Sequence, residues 1–168
     1  SVRPGNSQNQ KISNNTIQSN RSHGIYVKYG RMEISNNQIK SNNGHGIYMY
    51  RGNSYDPSYQ VVDNIISQNN SGIYARRSHF NANNNTISYN QSYAIYSYDS
   101  SANISVTGSL ITQNGRGICK ENSGSFIVSN CTISQNSDYA IKSSNAAATI
   151  RNNVIASNQV SSAVVDLT

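Results

Sequence analysis

The sequence predicts an all-β solenoid of about seven coils, each of about 22 residues and three short parallel strands, cornered by ladders of asparagine. Three observations predict it. The stretch SNNTIQSNRSHGIY, Ser13 to Tyr26, returns as SNNQIKSNNGHGIY, Ser35 to Tyr48, and self-similarity at a short fixed period marks a repeat architecture. The isoleucine of its NNTI segment then recurs at Ile17, Ile39, Ile66, Ile87, Ile111, Ile133 and Ile155, spaced by 22, 27, 21, 24, 22 and 22 residues. Finally, the period is too short for helix-pair repeats, and a composition of Asn, Ser, Gly, Ile and Tyr opposes helices.

The elements of a coil follow in order. Five residues before each marker stands a small or branched apolar residue: Ile12, Ile34, Val61, Ala82, Val106, Val128 and Ile150. This is the first strand. Two residues before the marker comes an asparagine column, Asn15, Asn37, Asn64, Asn85 and Asn153, with Ser109 and Cys131 as exceptions. The marker strand follows, and three residues after every marker is a second column: Asn20, Asn42, Asn69, Asn90, Asn114, Asn136 and Asn158. Asparagine tolerates left-handed backbone, and its amide can bond to the same amide one coil away, so both columns are expected to turn the corners and form ladders. Gly24, Gly46, Gly72 and Gly117 then mark points where backbones crowd. The third strand carries Ile25, Ile47, Ile73, Ile95, Ile118, Ile141 and Val164. In GIYVK and GIYMY, side chains alternate, sending Ile25, Val27, Ile47 and Met49 inward and Tyr26, Lys28, Tyr48 and Tyr50 toward water. Seven coils at about 4.8 Å make a rod roughly 34 Å long.

This NNTIxxN…GIY rhythm, over residues 10 to 167, resembles the right-handed parallel β-helix repeat proteins of the pectate-lyase-like superfamily. The resemblance implies a right-handed solenoid and leaves function open, because that superfamily spans lyases, hydrolases, epimerases, tailspikes, adhesins, surface-layer proteins and a copper-maturation factor. Where its members are enzymes, clustered carboxylates on adjacent coils bind calcium or act as acid and base. Here Glu33, Asp56, Asp63, Asp99, Glu121, Asp138 and Asp166 scatter in phase, so the reading leans away from catalysis.

Residues 1–168 read as one domain, with 1–11 as an N-terminal arm or edge and 51–60 as a projecting loop. No apolar run is long enough to span a membrane. The opening SVRPG, without methionine or a signal-peptide pattern, reads as a processed or excised chain. Low charge, 12 tyrosines and abundant Asn and Ser point to an extracellular or cell-surface protein.

The two cysteines fall about half a circumference apart, too far to bridge, with Cys119 expected to be exposed and Cys131 at a corner. Sequons occur at Asn14, Asn20, Asn69, Asn84, Asn90, Asn103 and Asn130; the ladder positions among them are expected to be structurally occupied, leaving Asn14, Asn84, Asn103 and Asn130 as glycosylation candidates. His23 and His45 should stack one coil apart, but Ser71, Tyr93, Arg116 and Tyr139 continue their column, so they are a weak metal candidate and no cofactor is expected.

The organised outward feature is aromatic and basic. Tyr26, Tyr48, Tyr74 and Tyr96 form one column, and Lys28, Tyr50, Arg76 and Tyr98 the next. Such columns serve either as a cross-strand ladder or as a flat platform for sugar rings, its cations selecting an acidic polysaccharide. With the net charge of +6 spread around the rod, nucleic acid is disfavoured. No capping helix is visible. The chain stops two strands into its seventh coil at SSAVVDLT and begins, at SVRPGNSQNQ, in phase with what comes next, so copies could continue one another end to end. The alternatives are an excised piece of a longer helix, or a first segment folded over as a cap.

The expected function is therefore non-catalytic: an extracellular structural or adhesive β-helix that self-assembles into a filament or surface layer. The alternative is a carbohydrate-binding or carbohydrate-active domain using the Tyr/Lys/Arg face.

Overall fold

The computed structural model describes residues 10–51, 59–99 and 101–159, which form twenty strands and, among the described residues, no helix. No described helix is therefore long and apolar enough to cross a membrane. Three parallel sheets wrap one core. The first runs from Gln10–Ser13 to Ala147–Arg151 and the second from Thr16–Gln18 to Val154–Ala156, with seven strands each. The third runs from Ile25–Lys28 to Ile141–Ser144 with six. The described chain is thus six turns plus two strands of a seventh, and the Val164 station lies outside the described residues.

Registry follows the apolar columns. Ile12 pairs with Ile34, Ile17 with Ile39 and Ile25 with Ile47, and each pairing repeats up the rod. From the second coil to the sixth these isoleucines and valines are buried, and Ile12, Ile17, Ile150 and Ile155 at the ends are partly so, so the core is a column sealed coil by coil. One boundary differs from the sequence reading. Gln10 and Lys11 belong to the edge strand of the first sheet, one of the two expected alternatives, whereas Tyr59 and Gln60 are strand rather than loop. The reason at Tyr59 is its ring, fully buried between Met32 and Phe80 in the same inward column. Residues 1–9 and 52–58, the rest of the expected arm and loop, lie outside the described residues.

The asparagine columns are ladders, but they do not themselves take the left-handed backbone. That conformation belongs to the residue immediately before each: Asn14, Asn36, Asp63, Asn84, Gly108, Asn130 and Asn152 at one corner, and Ser19, Ser41, Gln68, Tyr89, Gln113, Gln135 and Ser157 at the next. The division of labour is geometric. The preceding residue reverses the chain and points outward, which lets the ladder asparagine keep ordinary φ and turn its amide inward. A third corner, unmarked by any ladder, places Tyr29, Arg51, Arg77, Asp99, Asn122 and Asn145 in the same conformation.

Inside, Asn42 donates from both its backbone N–H and its Nδ2 to Asn69 Oδ1, at 3.0 and 2.9 Å. The same double bond joins Asn69 to Asn90, Asn90 to Asn114 and Asn114 to Asn136. Each buried corner amide is thereby satisfied by the next coil. Crowding at Gly24 is also as expected: a Cβ there would sit 2.8 Å from the Gly46 carbonyl oxygen and 2.9 Å from Asn42 Nδ2.

Candidate functional site

The outward face of the third sheet gathers the aromatic and basic residues. Strand registry stacks Tyr26, Tyr48, Tyr74 and Tyr96 as expected, with ring centroids 5.3, 5.4 and 5.3 Å apart. They do not make a flat platform. Successive rings are inclined by 47°, 80° and 51°, because rings one strand spacing apart relieve face-to-face repulsion by tilting. Tyr26 is 53% exposed, whereas Tyr48, Tyr74 and Tyr96 are half-buried under their neighbours. Parallel stacking runs along a coil instead: Tyr96 lies between Tyr93 and Tyr98 at 4.5 and 5.2 Å.

The second column alternates cation and ring. Lys28 Nζ lies 5.7 Å from the Tyr50 centroid, and the Arg76 guanidinium lies 5.5 Å from Tyr50 and 5.6 Å from Tyr98. Arg51 adds a third cation at 5.2 Å from Tyr50. Each such contact is worth about 0.5–1 kcal/mol when exposed.

The carboxylates near this face are occupied. Asp99 Oδ2 accepts from Arg76 Nε at 2.8 Å and meets Arg77 Nε at 3.3 Å, and these cations hold its carboxyl below the ordinary range. Asp138 pairs with Arg116, and Glu121 accepts the Tyr96 hydroxyl at 2.9 Å. Of the other described acids, Glu33 pairs with Lys11 on the first sheet and Asp63 is a corner residue. Asp56 and Asp166 lie outside the described residues.

His23 and His45 stack as expected, at 5.1 Å and 12°. His23 Nδ1 accepts the His45 backbone N–H at 3.0 Å, so it is not free to bind metal. His45 lies flat on Tyr74, 4.0 Å away at 5°, and burial pulls its pKa down from 6.5 to about 4. Among the described residues no group of three His, Cys, Asp or Glu could hold a metal ion.

Both cysteines are free, but Cys119 is buried rather than exposed. It stands in the outward column between Tyr96 and Lys142, covered by the Tyr139 hydroxyl, and burial raises its thiol pKa. The exposed sequon residues Asn14, Asn84 and Asn130 are corner residues with positive φ, and Asn103, also exposed, accepts the Ser125 N–H through Oδ1. Asn20, Asn69 and Asn90 spend their amides in the ladder.

Lys120 escapes the sequence reading. It is fully buried, and its ammonium donates to the Glu121, Asn122 and Ser123 carbonyls at 2.7, 3.0 and 2.9 Å. Burial draws its pKa down from 10.5 to about 8, which leaves it charged at neutral pH. Its phase was the available signal, since two residues after Ile118 is the inward column of Val27, Met49, Ala75, Ser97 and Ser143.

Three parallel sheets, laddered corners and one strand per sheet in each turn define a parallel β-helix. The family described as right handed beta helix region matches residues 3–101 and again 54–167, nearly the whole chain, and the chain belongs to it. No curated protein and no solved structure matches it.

Proposed function

We propose that this chain is a non-catalytic, extracellular β-helix with a structural and adhesive role, and that it adheres to acidic polysaccharide through the outward face of the third sheet. The observation that carries this reading is the run of rings and cations up four coils, Tyr26 to Tyr96 beside Lys28 to Tyr98. Tilted tyrosines offer both ring faces for sugar C–H groups and hydroxyls for sugar oxygens. Commitment of the nearby carboxylates to arginines and tyrosine supports holding a ligand over turning it over. The test is retention on immobilised acidic polysaccharide. Tyr48→Ser should fold normally and elute earlier, and elution unchanged from the parent would remove the tyrosine face from the proposal.

A second reading, end-to-end self-association, has its own support in the direction of the ladders. Every asparagine-to-asparagine rung runs from N–H and Nδ2 of one coil to Oδ1 of the next. Among the described residues, the first coil therefore leaves the Asn15 and Asn20 Oδ1 acceptors open, while the last leaves the Asn153 and Asn158 backbone donors. Ends of opposite hydrogen-bonding character suit head-to-tail growth. Negative-stain images at rising concentration should show rods in multiples of roughly 34 Å; particles of one length at every concentration would dismiss it.

A further inference from the structure

The outward tyrosine column does not end on an aromatic ring. Strand registry continues Tyr26, Tyr48, Tyr74 and Tyr96 with Cys119, whose side chain is 1% exposed. A cysteine leaves room there that a tyrosine would fill, and the Tyr139 hydroxyl reaches over from the adjacent column to hydrogen-bond both the thiol and Tyr93. Tyr93 in turn stacks on Tyr96 at 4.5 Å and 23°. The phenols from Tyr26 to Tyr93 are therefore continuous, with neighbouring ring centroids 5.3, 5.4, 5.3 and 4.5 Å apart. The Tyr96 hydroxyl also donates to Glu121 Oε2 at 2.9 Å, so the phenol paired with the thiol has a proton acceptor in place. A ladder built for packing alone requires neither that carboxylate nor a thiol enclosed by phenols. In a chain without tryptophan, phenols and thiols are the side chains that give up one electron most readily.

We propose that the column is a one-electron relay: an oxidising radical of the alkylperoxyl class takes an electron from an outer phenol, and the vacancy passes ring to ring to the Cys119 thiol. Tyr26, 53% exposed, is the most open entry. There the peroxyl takes an electron and the phenolic proton and leaves as a hydroperoxide. Each phenoxyl is restored by an electron from the next phenol and a proton from water, until Tyr96 gives its electron to Tyr74 and its proton to Glu121. Cys119 restores Tyr96. Its electron passes to the Tyr96 oxygen, which recovers the proton from Glu121, while the thiol proton leaves through the Tyr139 hydroxyl to water. The balance is one peroxyl and one thiol consumed, one hydroperoxide and one thiyl radical formed. Burial keeps the sulfur protonated, which shields it from the two-electron reactions of a thiolate and leaves this route open. Dioxygen then adds to the thiyl radical, and the free thiol is lost. The column thereby draws oxidising equivalents away from its exposed rings, whatever those rings bind.

Cys131 supplies the internal control. It is as deeply buried, at 2% exposed, but it stands at the corner between the first and second sheets, its thiol donating to the Val106 and Ser129 carbonyls. The experiment oxidises the full chain in air with photogenerated tris(bipyridine)ruthenium(III), a one-electron oxidant too bulky to touch either sulfur. Surviving thiols are counted after unfolding by alkylation and peptide mass spectrometry. Cys119 should be lost roughly tenfold faster than Cys131. Tyr93→Phe with Tyr96→Phe keeps both rings but removes their hydroxyls, and should bring Cys119 down to the rate of Cys131. Cys119→Ser should raise tyrosine–tyrosine coupling about twofold, read as dityrosine fluorescence, because the vacancy then stays on the rings. Thermal melts confirm that the variants fold. Equal loss of the two thiols overturns the relay. So does survival of both while dityrosine accumulates, a Cys119 rate unchanged in the double variant, or coupling unchanged in Cys119→Ser.

Discussion

The two asparagine ladders occupy equivalent corners and were built differently. The ladder through Asn20, Asn42, Asn69, Asn90, Asn114, Asn136 and Asn158 is unbroken, and each of its rungs carries two hydrogen bonds between 2.8 and 3.2 Å. The ladder through Asn15, Asn37, Asn64 and Asn85 runs the same way and then changes character. Asn85 N–H meets Ser109 Oγ at 3.1 Å, a thiol stands where Cys131 replaces the next amide, and Cys131 N–H returns to Asn153 Oδ1 at 2.9 Å. Backbone and core continue through the gap without a change of register. The difference teaches that the apolar columns and strand pairing set the path of the chain, while the amides satisfy polar groups that the path leaves buried.

That distinction can be broken most forcefully in the middle of the unbroken ladder. Asn114→Leu removes the acceptor of two bonds from Asn90 and the Nδ2 donor to Asn136 Oδ1 and to the Ile87 and Thr112 carbonyls in a buried corner, and should cost about 3 kcal/mol in urea unfolding. Asn85→Leu, whose upper neighbour is already a serine that accepts the Asn85 backbone N–H and nothing from its Nδ2, should cost less, about 2 kcal/mol. Equal losses at the two sites would mean that the corners are held by packing alone. In the opposite direction, Ser109→Asn combined with Cys131→Asn should complete the first ladder and add about 1 kcal/mol in the same measurement.

The smallest effect comes from the imidazole rung between His23 and His45. Amides do not titrate, but His23 Nδ1 must be unprotonated to accept the His45 N–H. Burial lowers the pKa of both rings, that of His45 to about 4, so the fold favours their neutral forms. The stabilisation is complete above the unfolded value of 6.5 and is lost as pH falls from there through about 4. Hydrogen exchange should show the amide of His45 losing protection below pH 6.5 as His23, its pKa lowered by burial, takes up a proton, while those of Asn42 and Asn69 hold. Simultaneous loss at all three would place the acid sensitivity elsewhere.

Much of this was legible because a repeat announces its own phase. The Ile17 and Asn20 columns fixed the strands, the inward faces and the ladders, since each copy tests the others. Phase alone could not say which corner residue bends: Asn14 and Asn15 look alike in sequence, and only the inward reach of the Asn15 amide assigns the reversal to Asn14. It also misled at Cys119, where outward placement was taken as exposure although Tyr139, a coil away in an adjacent column, covers the thiol. Of the outward tyrosine face, the columns were readable and the ring tilts were not. Arg51 went unread for a related reason, because the third corner carries no asparagine to mark it.

The ladder geometry also bears on how such a chain changes over generations. Each coil presents the same upper and lower surface to its neighbours, so removing or duplicating a segment from one ladder asparagine to the next would rejoin every column in register. A globular domain that lost 22 residues would lose its core; this one would become shorter by about 4.8 Å and otherwise keep its cross-section. Length is here an inheritable dial, adjustable in whole clicks by in-frame recombination.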